Sequence, residues 1–243
     1  MIQIAKNTIY FYLIPLFLFF GSDLSAQTYT TVGGGCTEWT NPACWTKVNV
    51  LGCTNSTSLS PPFSPNANAC PVSVIIRHPM NVPGNRTFGG NFVSITAEGA
   101  DGLLIFDQNV TIAAGRSIEF ITNNGAEIRV NGELILNQGP GGPSATPTQL
   151  NVSGDKTGKV SANDTKINNN TTLNVLAGGN FINSEVIDIQ GLNRKVEIWG
   201  EFQTRGLVIR GGSSNQLNTY GDALVNVEES ISLAGSTSEF WRE

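Results

Sequence analysis

Seven short segments of this chain share one pattern: apolar, any, apolar, any, small. It reads IRVNG from Ile128, LNVSG from Leu150, VEIWG from Val196, and LNTYG from Leu217, where Thr219 takes the second apolar place. A looser form, with Ala at the small position and Gly shortly after, starts at Val93 (VSITAEG), Val110 (VTIAAG) and Leu173 (LNVLAG). From Val93 onward the starts recur at nearly regular intervals, each close to the shortest period of known solenoids, about 20 residues. In a five-residue strand the first and third side chains point the same way. Here that pair is nearly always Val, Ile or Leu, so every unit has an apolar face to bury. A unit of about 20 residues cannot do so alone and must stack on its neighbours.

Further apolar stretches fall inside the units, at Leu134–Leu136, Val186–Ile189, Leu207–Ile209 and Ile231–Leu233. Two or three short strands per unit predict an all-β fold, a single-stranded right-handed parallel β-helix of about eight coils over residues 71–243. Coils stacked about 4.8 Å apart make a rod on the order of 40 Å long. The stretch EIRVNGELIL (Glu127–Leu136) tests this expectation, because Asn131-Gly132 also suits a type I′ hairpin turn. A hairpin there supports a different fold, an antiparallel β-sandwich that binds carbohydrate. The other units share the glycine but not the asparagine, so the stretch reads as strand, corner, strand within one coil. The Gly- and Pro-rich segment 137–147 is an outward loop. The run Asn168-Asn169-Asn170 is read as structural, since asparagine suits left-handed corners.

The repeats occupy only part of the chain. Lys6, the apolar run Ile9–Phe20 and the small residues up to Ala26 have the layout of a signal peptide over residues 1–26. That run is too short to span a bilayer, which takes roughly 20 apolar residues, and no membrane span is expected after its removal. All four cysteines, Cys36, Cys44, Cys53 and Cys70, fall in residues 27–70. In an exported chain they read as two disulfides with three possible connectivities, forming an N-terminal cap. Zinc is disfavoured, because there is no C-x-x-C pair and His78 is the sole histidine.

Within this region, Trp39, Pro42 and Trp45 (CTEWTNPACW) are followed by Val74, Ile76 and Val82 (VSVIIRHPMNV). This order resembles secreted bacterial surface proteins in which a W-x-x-P-x-x-W-like opening precedes parallel β-helix coils, as in adhesin-like and pectin-lyase-like solenoids. The eight-glycine type of extracellular module has a similar start. The resemblance covers roughly the first half of the mature chain. It implies an extracellular or cell-surface setting, with the periplasm as an alternative, and contact with glycans or another surface protein.

The chemistry is sparse. Charged residues make up 14% of the chain and the net charge is −5. There is no basic stripe, so nucleic acid is not an expected partner. Galacturonase-like sites need paired aspartates beside a histidine, and the sequence has neither arrangement. Lyase-like sites need acids holding calcium beside a base; only Asp155-Lys156, Asp164-Lys166 and Asp188 with Arg194-Lys195 mix the two charges. No cofactor or metal is expected. The candidate ligand contacts are Trp199, Tyr220, Lys156 and Lys195. Trp199 follows the inward Ile198 and so faces out, and Tyr220 holds the same place in the next unit. Outward rings one coil apart form either a contact stripe or a stack that steadies neighbouring coils. The expected function is a non-catalytic secreted module for adhesion, glycan contact or structural spacing. The alternative is a small polysaccharide-degrading lyase or hydrolase.

Overall fold

The computed structural model describes residues 26–48, 60–65, 70–137, 146–210, 214–234 and 238–242, with side chains up to Leu233. The signal-like segment, Cys53 and the tip of the 137–147 loop lie outside the described residues.

The chain is a parallel β-solenoid. One face, here face A, stacks nine parallel strands in chain order: Gln27–Thr31, Val72–Ile76, Phe92–Glu98, Ser117–Asn123, Thr148–Gly154, Thr171–Val175, Arg194–Ile198, Asn215–Thr219 and Ser238–Arg242. Seven face-B strands interleave with them, from Met80–Val82 and Leu103–Phe106 to Glu127–Leu136, Lys159–Ile167, Asn180–Gln190, Glu201–Arg210 and Leu224–Ala234. In the early coils a third side is formed by the short strands Arg86–Phe88 and Val110–Ile112. Later coils reach that side by bending one long strand. Val74, Ile95, Phe120, Val152, Val175, Ile198 and Thr219 lie side by side along face A and point inward. The widest step in sequence between them runs from Phe120 to Val152, through the coil that carries the 137–147 loop.

EIRVNGELIL is one strand that turns a corner. Its first half pairs in parallel with Leu103–Phe106, with Ile128 beside Leu104, and its second half with Val110–Ile112, with Leu134 beside Val110. The hairpin and the antiparallel sandwich are thereby overturned. The register breaks between Val130 and Glu133, and the coils above break at the matching places, Ala162/Thr165, Asn183/Val186 and Thr204/Gly206. Gly132 serves this corner through space, not through a positive φ. A Cβ there would collide with the Asn109 side chain and the Gln108–Asn109 peptide of the coil below. Asn109 Oδ1 instead accepts a 2.9 Å hydrogen bond from Glu133 N, and Asn109 N donates to Asn85 Oδ1 at 3.1 Å.

The sequence pattern mixes sides of the coil. The units at Leu150, Leu173, Val196 and Leu217 share one face-A register, but Ile128 belongs to face B and Val110 to the third side. At Val93 the register slips: Phe92 is buried beside Val72, and Val93 is 41% exposed. Every side needs an inward apolar pair followed by a corner, so the local pattern alone does not say which side it builds.

The two ends differ. At the N-terminal end, Trp45–Val48 pairs antiparallel with Gln27–Thr31. Trp39 and Trp45 pack edge to face at 5.0 Å, and their indole N–H groups donate to Pro61 O and Trp39 O, each at 2.8 Å. Residues 27–48 thus supply the first described rung of face A as well as its cover. At the other end Val225, Val227, Ile231 and Leu233 take the register places of Phe202, Thr204, Leu207 and Ile209. Those four are buried, yet Ile231 is 48% and Leu233 51% exposed.

Candidate functional site

The outward side of face A is a flat surface of three rows. Ser117, Gln149, Thr172, Lys195 and Gln216 form one row, and Glu119, Asn151, Asn174, Glu197 and Asn218 the next. Strand alternation and parallel register place them there, since each except Ser117 follows a buried residue and each stands one coil, about 4.8 Å, from its counterpart. Coil-to-coil bonds order the surface: Asn174 Nδ2 donates to Asn151 Oδ1 at 2.8 Å, and Ser153 Oγ to Glu119 Oε1 at 2.6 Å. The third row, at the C-terminal edge of the strands, ends in Trp199 and Tyr220. Their rings stack at 4.5 Å between centroids and 10° between planes, with Trp199 36% exposed. The rings stack between two coils, and Trp199 keeps an edge open to solvent.

The two candidate lysines do not converge. Lys195 lies near the N-terminal end of the strand that leads to Trp199, about 13 Å away along that strand. Its Nζ is 3.9 Å from Glu197. Lys156 sits in the corner after Thr148–Gly154, in a left-handed conformation (φ 70°), where its backbone N–H donates to Gly178 O at 2.7 Å.

The acids beside these lysines are engaged in building corners. Asp155 accepts from Thr157 Oγ1 (2.6 Å), from Thr157 N (3.0 Å) and, across to the coil below, from Asn124 N (2.7 Å). These bonds, that from the Thr157 hydroxyl foremost, hold its carboxyl down at about 2. Asp164 accepts from Val186 N, Lys166 pairs with Glu133 at 3.1 Å, and Asp188 pairs with Arg210 at 3.2 Å. Arg194 points inward and is fully buried in a polar column with Thr148, Thr171 and Asn215. Its guanidinium donates to Asn215 Oδ1 at 2.9 Å and Asn169 Oδ1 at 3.3 Å. Burial lowers its pKa to about 10, against the opposing pull of Asp188. The Asn run is structural, with Asn170 at a left-handed corner (φ 51°) and Asn169 Oδ1 accepting from Leu192 N.

Cys36 and Cys44 are adjacent free thiols, and the neighbouring Cys44 raises the Cys36 pKa. Among the described residues no group of three His, Cys, Asp or Glu is placed to hold a metal ion.

A cleft of about 320 Å³ on the outer side of face B has no counterpart in the sequence-level candidates. Glu127, Arg129, Lys159, Ser161, Asn163 and Ser184 surround it, with Ile182 in its wall. Glu127 and Lys159 are register neighbours on opposite sides of the 137–147 loop, so no local motif announces them.

Fold and surface together define a parallel β-solenoid with a polar, aromatic-edged face. No family model, curated protein or solved structure matches the chain.

Proposed function

We propose that the chain is a non-catalytic, secreted or cell-surface solenoid module that contacts glycans through face A. The observation that carries this reading is the stacked, solvent-facing Trp199–Tyr220 pair beside ordered rows of amides and hydroxyls. The open rim of the stacked rings offers apolar contact to a sugar ring, whose hydroxyls need dense donors and acceptors. The signal-like N-terminus supports export, and the Trp39/Pro42/Trp45 opening supports an adhesin-like setting. The Cys36 and Cys44 thiols lie within hydrogen-bond reach of each other, which supports their pairing in an oxidising compartment.

The test is calorimetric titration with neutral oligosaccharides of several linkages. Binding without turnover, lost in Trp199→Ala and weakened in Tyr220→Ala, is the expected result. Turnover that disappears in Lys156→Ala or Lys195→Ala supports the lyase or hydrolase instead and sinks the module.

A further inference from the structure

The face-B cleft has the chemistry of a charged-sugar site. Glu127 forms its base, with its side chain only 14% exposed. Arg129 grips that carboxylate with two nitrogens, Nε at 3.0 Å and Nη2 at 2.8 Å, while Ser161 Oγ donates to it at 2.8 Å. Burial pushes the Glu127 carboxyl up, but Arg129, Ser161 and Lys159 outweigh it and hold the group below the ordinary carboxylate range. Glu127 is therefore a fixed anion that positions the arginine.

Two cations face this one carboxylate, so the cleft carries a surplus positive charge on a protein of net charge −5. Arg129 Nη1 makes no hydrogen bond within the described residues. Lys159 Nζ stands 3.8 Å from Glu127, near enough for charge pairing and too far for a hydrogen bond. Both side chains are more than two-fifths exposed, at 43% and 44%. Across the cleft, Ile182 follows Arg129 and Ser161 in register and offers a half-buried apolar surface, with the exposed Ser184 hydroxyl beside it. An anion receptor, hydroxyl partners and an apolar patch in about 320 Å³ match one substituted six-membered sugar ring.

We propose that this cleft binds a single anionic sugar unit, with its carboxylate or sulfate between Arg129 and Lys159 and its ring against Ile182. The site is separate from face A and does not depend on Trp199.

The test titrates the full chain with glucuronate, glucose 6-sulfate, glucose and sodium sulfate, following binding by NMR shifts. Either acidic sugar, or both, should bind, and the two arms show which acid the site takes. Losing one charge-assisted contact should weaken binding about tenfold in Lys159→Gln, which leaves the Glu127–Arg129 bonds intact. Arg129→Gln should weaken it at least as much, and Arg77→Gln, which removes an exposed cation outside the cleft, should leave it unchanged. Glucose binding equal to that of the acids, sulfate alone binding as well as the sulfated sugar, or an unchanged Lys159→Gln protein would overturn the proposal. Neutral oligosaccharide binding that depends on Trp199 reports on face A separately, so either site can fail without the other.

Discussion

The first and the last described coils treat the same inward pattern in opposite ways. Any stacked-coil protein has a first and a last rung whose inward side chains and strand edges lack a neighbour. At the N-terminal end an antiparallel strand covers the edge, and Trp39, Trp45 and Tyr29 fill the opening, each indole N–H having a carbonyl partner. In the last described face-B strand the core pattern is kept, yet Ile231 and Leu233 are about half exposed. The inward pattern is thus a property of the repeat, while burial depends on having a coil on both sides. Stability should follow coverage, falling from the first coils to the last.

The sharpest way to break this contrast is at the cap. Trp39→Ala removes the largest fully buried side chain and should cost about 3–5 kcal/mol, read as a lower urea midpoint. A loss below about 1 kcal/mol would mean that the cap is an ornament. The next comparison uses register partners: Ile209→Ala should cost about 2–5 kcal/mol and Leu233→Ala about 1 kcal/mol or less. Equal costs would show that the last coil is covered in solution. Trp199→Ala should cost about 1 kcal/mol through the lost ring stack, a smaller effect because the site is partly open. The smallest effect concerns Asp155. Its folded carboxyl lies at about 2, below its ordinary value of 3.8. Its contribution is therefore present above about pH 4 and fades as pH falls toward about 2. Asp155→Asn should lower Tm slightly at neutral pH and flatten the acid limb of the Tm–pH curve. An unchanged acid limb would remove the corner from the account.

Much of the fold was legible because strand alternation is local. Leu150, Leu173, Val196 and Leu217 announced a shared register that the structure realises pair by pair. What could not be read was which side of the coil each segment builds, as Ile128 and Val110 show. The bulge that turns Val93 outward is equally silent, because it depends on Phe92 fitting beside Val72. On the surface, the outward placement of Trp199 and Tyr220 followed from counting, and their stacking required the coil spacing. The Glu127–Arg129–Lys159 cleft was hidden for another reason. Lys159 meets Glu127 only across the 137–147 loop, and Glu127 two residues before Arg129 looks like any exposed ion pair.

The corners that precede the face-A strands carry one more consequence. Asn170, Asn193 and Ser214 all stand at the same point of the coil with positive φ, at 51°, 55° and 70°. Excising Thr171–Asn193 would therefore splice one left-handed corner onto the start of the next equivalent strand, leaving the phase of every later side chain untouched. Gene-level insertions and deletions at these positions act on the molecule as changes of length in steps of about 4.8 Å. A protein built this way can be tuned as a spacer by adding or removing whole turns, while a one-residue deletion within a strand turns its inward side chains outward.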